Sequence, residues 1–293
     1  MTNQADLGGM FTFPGTQLQV RRMGFGAMQL AGPHAYGPSK ARDGGSAVLN
    51  EVIAAGVNHI DTSDYYGPHS VNQIIRQTLH PYRDDLVIVT KLGWRRGDSG
   101  SWIPAVSASD ITAGAHENLR NLGLDALEIV NLRVGGELWP TEGSIEEPMT
   151  ALAELQRQGL IRHLGVSNVS PQQYAEAKKI AQIVCVQNFY NVAQRRDDAF
   201  IDQLDKEGVA YVPYFPLGGM TPLQSAELDV AAASVNATSL QVALHWLLKR
   251  SPNILLIPGT SSLLHLKENL EAVDLELSAE MLTQLNAMGS YAA

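Results

Sequence analysis

From residue 57 onward the chain alternates between two hydrophobic rhythms. Short β-branched runs at 57–60 (VNHI), 86–90 (LVIVT), 127–132 (LEIVNL), 161–166 (IRHLGV), 183–186 (IVCV), 209–213 (VAYVP) and 254–257 (ILLI) read as strands. A further short run near 23–27 makes eight. Between them, apolar residues recur at i, i+3 and i+4 over 44–55, 70–79, 109–122, 144–158, 171–181, 196–207 and 238–249, the spacing of one helix face. Start signals support several of these: Ser109 with Asp110 opens the third helix and Ser170-Pro171 the fifth. Strands apolar on both faces, each followed by a helix and repeated eight times, predict a closed parallel (β/α)8 TIM barrel rather than an open doubly wound sheet. The head, 8–20 (GGMFTFPGTQLQV), predicts an N-terminal β-hairpin that plugs the bottom of the barrel, and 278–288 predicts an extra C-terminal helix. No linker interrupts the pattern, so one α/β domain spanning 1–293 is expected.

Composition narrows the function classes. Hydrophobic residues make up 45% of the chain, and no apolar run approaches the roughly 18–20 residues of a membrane span. A net charge of −9 argues against nucleic acid or an acidic membrane as partner, since either needs a basic surface. One cysteine, Cys185, permits no intrachain disulfide, which fits a reducing compartment. Residues 1–9 carry no basic-then-apolar export signal, so the cytoplasm is the expected location.

In such barrels the chemistry sits at the C-terminal ends of the strands, where the loops converge on one mouth. The second strand delivers Asp61 and, five residues on, Tyr66; the third delivers Lys91 and the fourth Arg133. Ser167 and Asn168 follow the fifth, Gln187 and Asn188 the sixth, Tyr214 the seventh, and 258–262 (PGTSS) the eighth. A phenol, with its ordinary pKa of about 10, is a sluggish acid at neutral pH. An adjacent ammonium favours the ionised phenol and makes it a readier proton donor, and a carboxylate beside the ammonium offsets the cost of burying it. Asp61, Lys91 and Tyr66 at one mouth therefore point to protonation of a carbonyl oxygen as hydride reaches its carbon. Taken singly, each has a plainer reading: a turn cap, a solvated charge or rim packing.

The motifs "HIDTSDYYG" (59–67), "VTKLG" (89–93), "GVSN" (165–168), "VQNFYN" (186–191) and "IPGTSS" (257–262) resemble, in order and spacing, the aldo-keto reductase family. The resemblance runs from about Met23 to the final helix. Within the family, "GAMQLAGP", "HIDTSDYYGPH", "VNLRV" and "SPNILLIPGTSS" are most similar to the bacterial pyridoxal reductase branch. The resemblance implies NADPH as cofactor, with NADH the alternative, bound without a dinucleotide fold; Gly24-Phe25-Gly26 indeed lacks the third glycine and following helix of that fingerprint. It implies that Ser167, Asn168 and Gln187 hold the nicotinamide carboxamide and that Tyr214 stacks on the ring. It further implies that Gly26, Ala27, Met28, Asp61, Phe215, Pro216, Gly259, Thr260, Ser261, Ser262 and His265 bind the cofactor, that the stretch Leu217, Gly218 through Thr221 approaches its pyrophosphate, and that Glu268 and Asn269 lie near the adenine. Where the family commonly places a lysine or arginine for the 2′-phosphate, this sequence has Ser261 and Ser262, and hydroxyls at a helix N-terminus bind phosphate as well.

The implied reaction is reduction of an aldehyde or ketone to an alcohol, with pyridoxal to pyridoxine as the expected substrate and product and other small aromatic aldehydes as the alternative. Arg133 stands where most of the family has histidine. Always charged, it suits polarising the carbonyl or pairing with an anionic oxygen beside it, and the plainer reading is an ion pair with Glu128 or another carboxylate. Tyr65, Trp94, Trp102 and Trp139 are candidate pocket walls; Arg95 and Arg96 read as solvated charges, with attraction of an anionic substrate as the alternative. The site requires no oligomer. No metal is expected, because the eight histidines show no zinc spacing, which disfavours a barrel metallohydrolase. A barrel that binds nicotinamide cofactor only as a redox-sensing regulator is the other alternative.

Overall fold

The computed structural model describes residues 6–39, 44–218 and 225–288. Its strands, in chain order, are β1 (Met10–Thr12), β2 (Gln19–Arg21), β3 (Phe25–Gly26), β4 (His59–Asp61), β5 (Val87–Leu92), β6 (Trp94–Arg96), β7 (Trp102–Pro104), β8 (Leu127–Arg133), β9 (Ile161–Ser167), β10 (Ile183–Gln187) and β11 (Ala210–Tyr211). The α-helices are α1 (Gly44–Ala54), α2 (Ser70–Leu79), α3 (Ala108–Leu122), α4 (Glu146–Arg157), α5 (Pro171–Ile180), α6 (Asp198–Glu207), α7 (Ala226–Ser234), α8 (Ser239–Arg250), α9 (Leu263–Glu271) and α10 (Ala279–Met288).

β3, β4, β5, β8, β9, β10 and β11 form one parallel sheet in that spatial order. Residues 254–257 supply the eighth position. Parallel bridges join Met23 to Leu256 and Tyr211 to Ile254, and backbone bonds from Gly24 N to Leu256 O (2.7 Å) and Leu255 N to Tyr211 O (2.9 Å) close the ring. The expected eight-stranded parallel barrel is thus formed, with helices outside it. Aliphatic residues fill both faces of the strands, and the two faces make two cores. One large cluster, from Leu7 to Leu285, lies between barrel and helices; a second joins Val87, Val89, Ile129, Cys185, Val212, Leu255 and Ile257. Phe13 and Val20, from the β1–β2 hairpin, belong to the second cluster, so the hairpin closes the bottom as expected.

Strand register sets the height of each inward side chain. Lys91 pairs with Asn131, Asn131 with Gly165, and Arg133, Ser167 and Gln187 fall in one row. Gly165 is needed at its level, because a Cβ there would overlap Asn131 Oδ1 and Cys185 Sγ. Three local features depart from the sequence reading. Ser107, not Ser109, caps α3, its hydroxyl accepting from Asp110 N (3.1 Å). The stretch 94–104, read as loop, is the antiparallel β6–β7 hairpin, and α7 precedes α8. The fifth helix starts as expected, with Ser170 and Gln173 in a capping box and Pro171 at the first turn. Among the described residues no helix is long and apolar enough to cross a membrane.

Candidate active site

At the end of β4 the side chain of Asp61 is almost fully buried, as is Lys91 near the end of β5. The Lys91 ammonium donates to Asp61 Oδ1 (2.5 Å) and to Thr62 O (3.0 Å). Asp61 Oδ2 accepts from Gln187 Nε2 (2.9 Å), and Gln187 Oε1 accepts from Ser167 Oγ (3.4 Å). A continuous polar chain therefore links strands that deliver four of the candidate residues. Charge neutralisation, two hydrogen bonds to the carboxylate and one from the ammonium to Thr62 O explain how the Asp61–Lys91 pair is held inside the mouth.

Tyr66 lies beside this pair, with the Lys91 nitrogen 5.3 Å from its ring centroid, and Tyr65 packs edge-on at 5.3 Å. Its hydroxyl has no hydrogen-bond partner among the described residues. One expectation needs correction. Burial, then the Asp61 carboxylate, pushes the Tyr66 phenol well above its ordinary range, while Arg133 pulls it down. At rest Lys91 has two of its three donors on Asp61 and Thr62, and desolvation outweighs its pull, so the proton stays on oxygen.

The turn carrying Tyr65 and Tyr66 is held by a ladder of side-chain amides that sequence reading missed. Thr62 Oγ1 donates to Asn72 Oδ1 (2.8 Å), and Asn72 Nδ2 donates to Asp64 Oδ1 (3.0 Å) and Asn118 Oδ1 (3.1 Å). Thr90, next to Lys91, donates to Asn118 Oδ1 (2.6 Å). Asn121 donates to both Asp64 oxygens (2.9 and 3.1 Å), and His69 Nδ1 lies 2.6 Å from Asp64 Oδ2. The Asp64 hydrogen bond raises the His69 pKa. Asparagines at buried positions of α2 and α3 were the available signal, since an amide inside an apolar stripe needs a partner. Ligand-capable atoms of Asp64, His69 and Glu117 also lie within 4.8 Å of one another, a grouping that sequence spacing did not reveal.

Arg133 does not pair with Glu128, which instead meets Arg162 (3.2 Å) and lies 3.9 Å from His163. Five residues apart on one strand, Glu128 and Arg133 point to opposite faces. Arg133 Nη2 donates to Gly136 O (3.1 Å) and Glu137 O (2.7 Å), and its Cζ sits 5.2 Å from the Tyr214 ring centroid. Asn168 donates through Nδ2 to Val134 O, Gly136 O and Trp139 O at 2.9–3.0 Å, and its Oδ1 lies 3.0 Å from the Tyr214 hydroxyl. Its amide thus clamps the loop after β8, while Ser167 and Gln187 join the Asp61 chain. Tyr214 stacks on Phe189 (5.9 Å, 13° between planes), and the exposed Trp139 packs on Phe189 from another side.

The loops after the seventh, eighth and first barrel positions are contiguous around the ring, which groups Tyr214, Phe215, Pro216, Leu217 and Gly218 with Gly259–Ser262 and with Gly26, Ala27 and Met28. Residues 219–221 lie outside the described residues. Gly26 N donates to Pro258 O (3.3 Å), and a Cβ on Gly259 would come 2.6 Å from Gly26 O, so these backbones need glycine to approach. Ser262 caps α9 by accepting from His265 N (3.4 Å), and Thr260 Oγ1 accepts from Ser262 N (3.0 Å). His265 is exposed, Lys267 pairs with Glu271 at 3.6 Å, and Glu268 O accepts from Gln241 beside the buried Asn269. Beneath the mouth, burial lowers the His59 pKa to about 4 and raises that of Cys185 to about 12. Both are neutral near pH 7, and the thiol is no nucleophile.

On the β6–β7 hairpin Arg95 is exposed, but Arg96 is not the solvated charge expected of it. Its Cζ lies 3.7 Å from the Trp102 ring centroid and 5.3 Å from that of Tyr36. Trp94 and Trp102 meet edge to face at 6.2 Å, and Trp102 meets Tyr65 at 5.6 Å, so these rings form one wall beside the proton-donor candidate.

The model of the Aldo/keto reductase family matches residues 22–289. Pyridoxine 4-dehydrogenase of Escherichia coli (strain K12) is 61% identical over 271 residues, which cover 92% of this chain and 95% of that protein. Among solved structures, a thermostable aldo-keto reductase crystallised with the inhibitor epalrestat has a TM-score of 0.80 at 30% identity, covering 96% of this chain and 99% of that one. An aldo-keto reductase from Bacillus halodurans, in its holo form, has a TM-score of 0.77 at 26% identity, covering 95% and 96%.

Proposed function

The chain belongs to the aldo/keto reductase family, and we propose that it reduces pyridoxal to pyridoxine with NADPH, Tyr66 giving the proton. The observation that carries this reading is the uncommitted Tyr66 hydroxyl beside the buried Lys91–Asp61 pair.

A raised pKa keeps the phenol protonated until a carbonyl oxygen arrives to take the proton. As negative charge then develops on the phenol oxygen, Lys91 stabilises it at short range, with Asp61 fixing the ammonium by its 2.5 Å bond. Arg133 lowers the pKa of Tyr65, Tyr66 and Tyr214 alike, which puts its field on the same spot. There it polarises the carbonyl or meets an anionic oxygen next to it, such as the phenolic oxygen of pyridoxal. Trp94 and Tyr65 wall the ring of the substrate.

The residues fit a nicotinamide cofactor. Ser167 and Gln187 offer a hydroxyl and an amide one inward row above Lys91, and Tyr214 offers an aromatic face. Residues 258–267 hold hydroxyls, a histidine and a lysine and no carboxylate, chemistry that suits the 2′-phosphate of NADPH over the free hydroxyl of NADH. When bound, the cofactor supplies the hydride.

The test follows NADPH absorbance with a panel of pyridoxal, simple aromatic aldehydes and a ketone. Fast oxidation with pyridoxal, and a lower KM for NADPH than for NADH, are the expected results. Oxidation with other aldehydes but not pyridoxal would overturn the substrate. No oxidation, with tight cofactor binding, would replace catalysis by cofactor sensing.

A further inference from the structure

Arg96 has more hydrogen-bonding capacity than the fold uses. Its Nη2 donates to His34 O (3.1 Å), but Nε and Nη1 are buried without an acceptor among the described residues. No carboxylate pairs with it among those residues. The guanidinium carries five N–H donors and a permanent charge, and leaving such donors buried and unpaired is destabilising. The two aromatic faces around it, Trp102 and Tyr36, fix its plane and satisfy its charge only weakly. Tyr36 is itself pinned to the same hairpin by a bond from its hydroxyl to Asp98 O (2.7 Å). Such a guanidinium is held ready for an acceptor that the chain does not provide.

Its position says which acceptor. Arg96 pairs with Trp102 across the β6–β7 hairpin. From Trp102, edge-to-face contacts of 5.6 Å and 5.3 Å lead through Tyr65 to Tyr66. Tyr65 is also close enough to act on the Arg96 charge. The proton donor and the arginine therefore stand at two ends of one aromatic wall, a ring's length and more apart.

We propose that Arg96 is a specificity residue for the reduction argued above: it binds an anionic group, carboxylate or phosphate monoester, on the far side of an aromatic aldehyde from its carbonyl. The substrate ring lies along Tyr65 and Trp102, with its carbonyl at Tyr66 and its anion at the Arg96 guanidinium, whose Nη1 has no acceptor among the described residues. The proposal rests on the reductase reading for its carbonyl end and on the Arg96 geometry alone for its anionic end.

The test compares 4-carboxybenzaldehyde with its neutral methyl ester as substrates of the wild type, Arg96→Met and Arg96→Lys, and adds 4-formylphenyl phosphate to separate carboxylate from phosphate. The wild type prefers the anions, and Arg96→Met lowers the ratio of kcat/KM for anion over ester by roughly tenfold or more, mainly through KM. Arg96→Lys keeps charge without the fork and falls between. Equal rates on acid, ester and phosphate in the wild type, or an equal fall on all three in the variant, overturn the proposal. Quenching of tryptophan fluorescence by benzoate against benzamide reads the anion site without turnover. Benzoate preference that depends on Arg96 in a protein that reduces nothing would sink the reductase reading and leave the site; turnover without that preference would do the reverse.

Discussion

Arg22 and Arg96 are two arginines near opposite ends of the same barrel, and their partners differ. At the lower end Arg22 donates to Ile254 O (3.1 Å), Gly8 O (3.3 Å), Leu248 O (2.8 Å) and Ser251 O (2.6 Å), tying the N-terminal segment to α8 and to the eighth barrel position. Beside it Asn58 accepts from Arg21 N and donates to Gln19 O and Asp85 O, and Phe13 and Val20 fill the interior. At the upper end two nitrogens of Arg96 and the Tyr66 hydroxyl have no partner among the described residues, and a charge pair is buried. The residue types overlap, so type alone does not mark function. What marks it is spare capacity lying beside a buried charge pair and a free phenol; spare capacity alone does not, since His245 Nε2 on α8 and Asn253 Oδ1 below the last barrel position also lack a partner among the described residues.

The contrast can be broken from either end. Lys91→Met leaves Asp61 buried without its cation, which costs about 3–5 kcal/mol of stability by denaturant unfolding. The same variant lowers single-turnover reduction by about 10²–10⁴-fold. Phe13→Ala opens a cavity in the plug and costs about 3–4 kcal/mol. The folded Phe13→Ala protein keeps its kcat, and a large drop in kcat would erase the distinction between the two ends. The smallest effect concerns His69, whose pKa the Asp64 bond raises. A raised folded-state pKa gives stability that is complete below the unfolded value of 6.5 and is lost as pH climbs through the folded value. The stability margin of the wild type over His69→Gln should shrink across that window; a margin that grows with pH would mean the imidazole is bound neutral.

The sequence made the barrel legible because alternation of strand and helix is a local property, and so is a polar residue ending an apolar run. Asp61, Lys91 and Ser167 could be placed on that ground alone. What stayed hidden depends on contacts across the chain. Arg96 and Arg95 look alike in sequence, and only the docking of Trp102 against Tyr65 and of Tyr36 on the hairpin separates the half-buried one from the exposed one. The resting pKa of Tyr66 was misread because adjacency at strand ends does not say how far burial outweighs a neighbouring ammonium. The Glu128 partner for Arg133 could have been excluded by counting, since an odd separation on a strand reverses the face.

The account stands most directly on the Tyr66 hydroxyl. In Tyr66→Phe the ring and its packing on Tyr65 remain, so cofactor affinity should hold while single-turnover oxidation of bound NADPH by pyridoxal slows by about 10²–10⁴-fold. An unchanged rate in that variant would contradict the account, because the proton would then come from elsewhere.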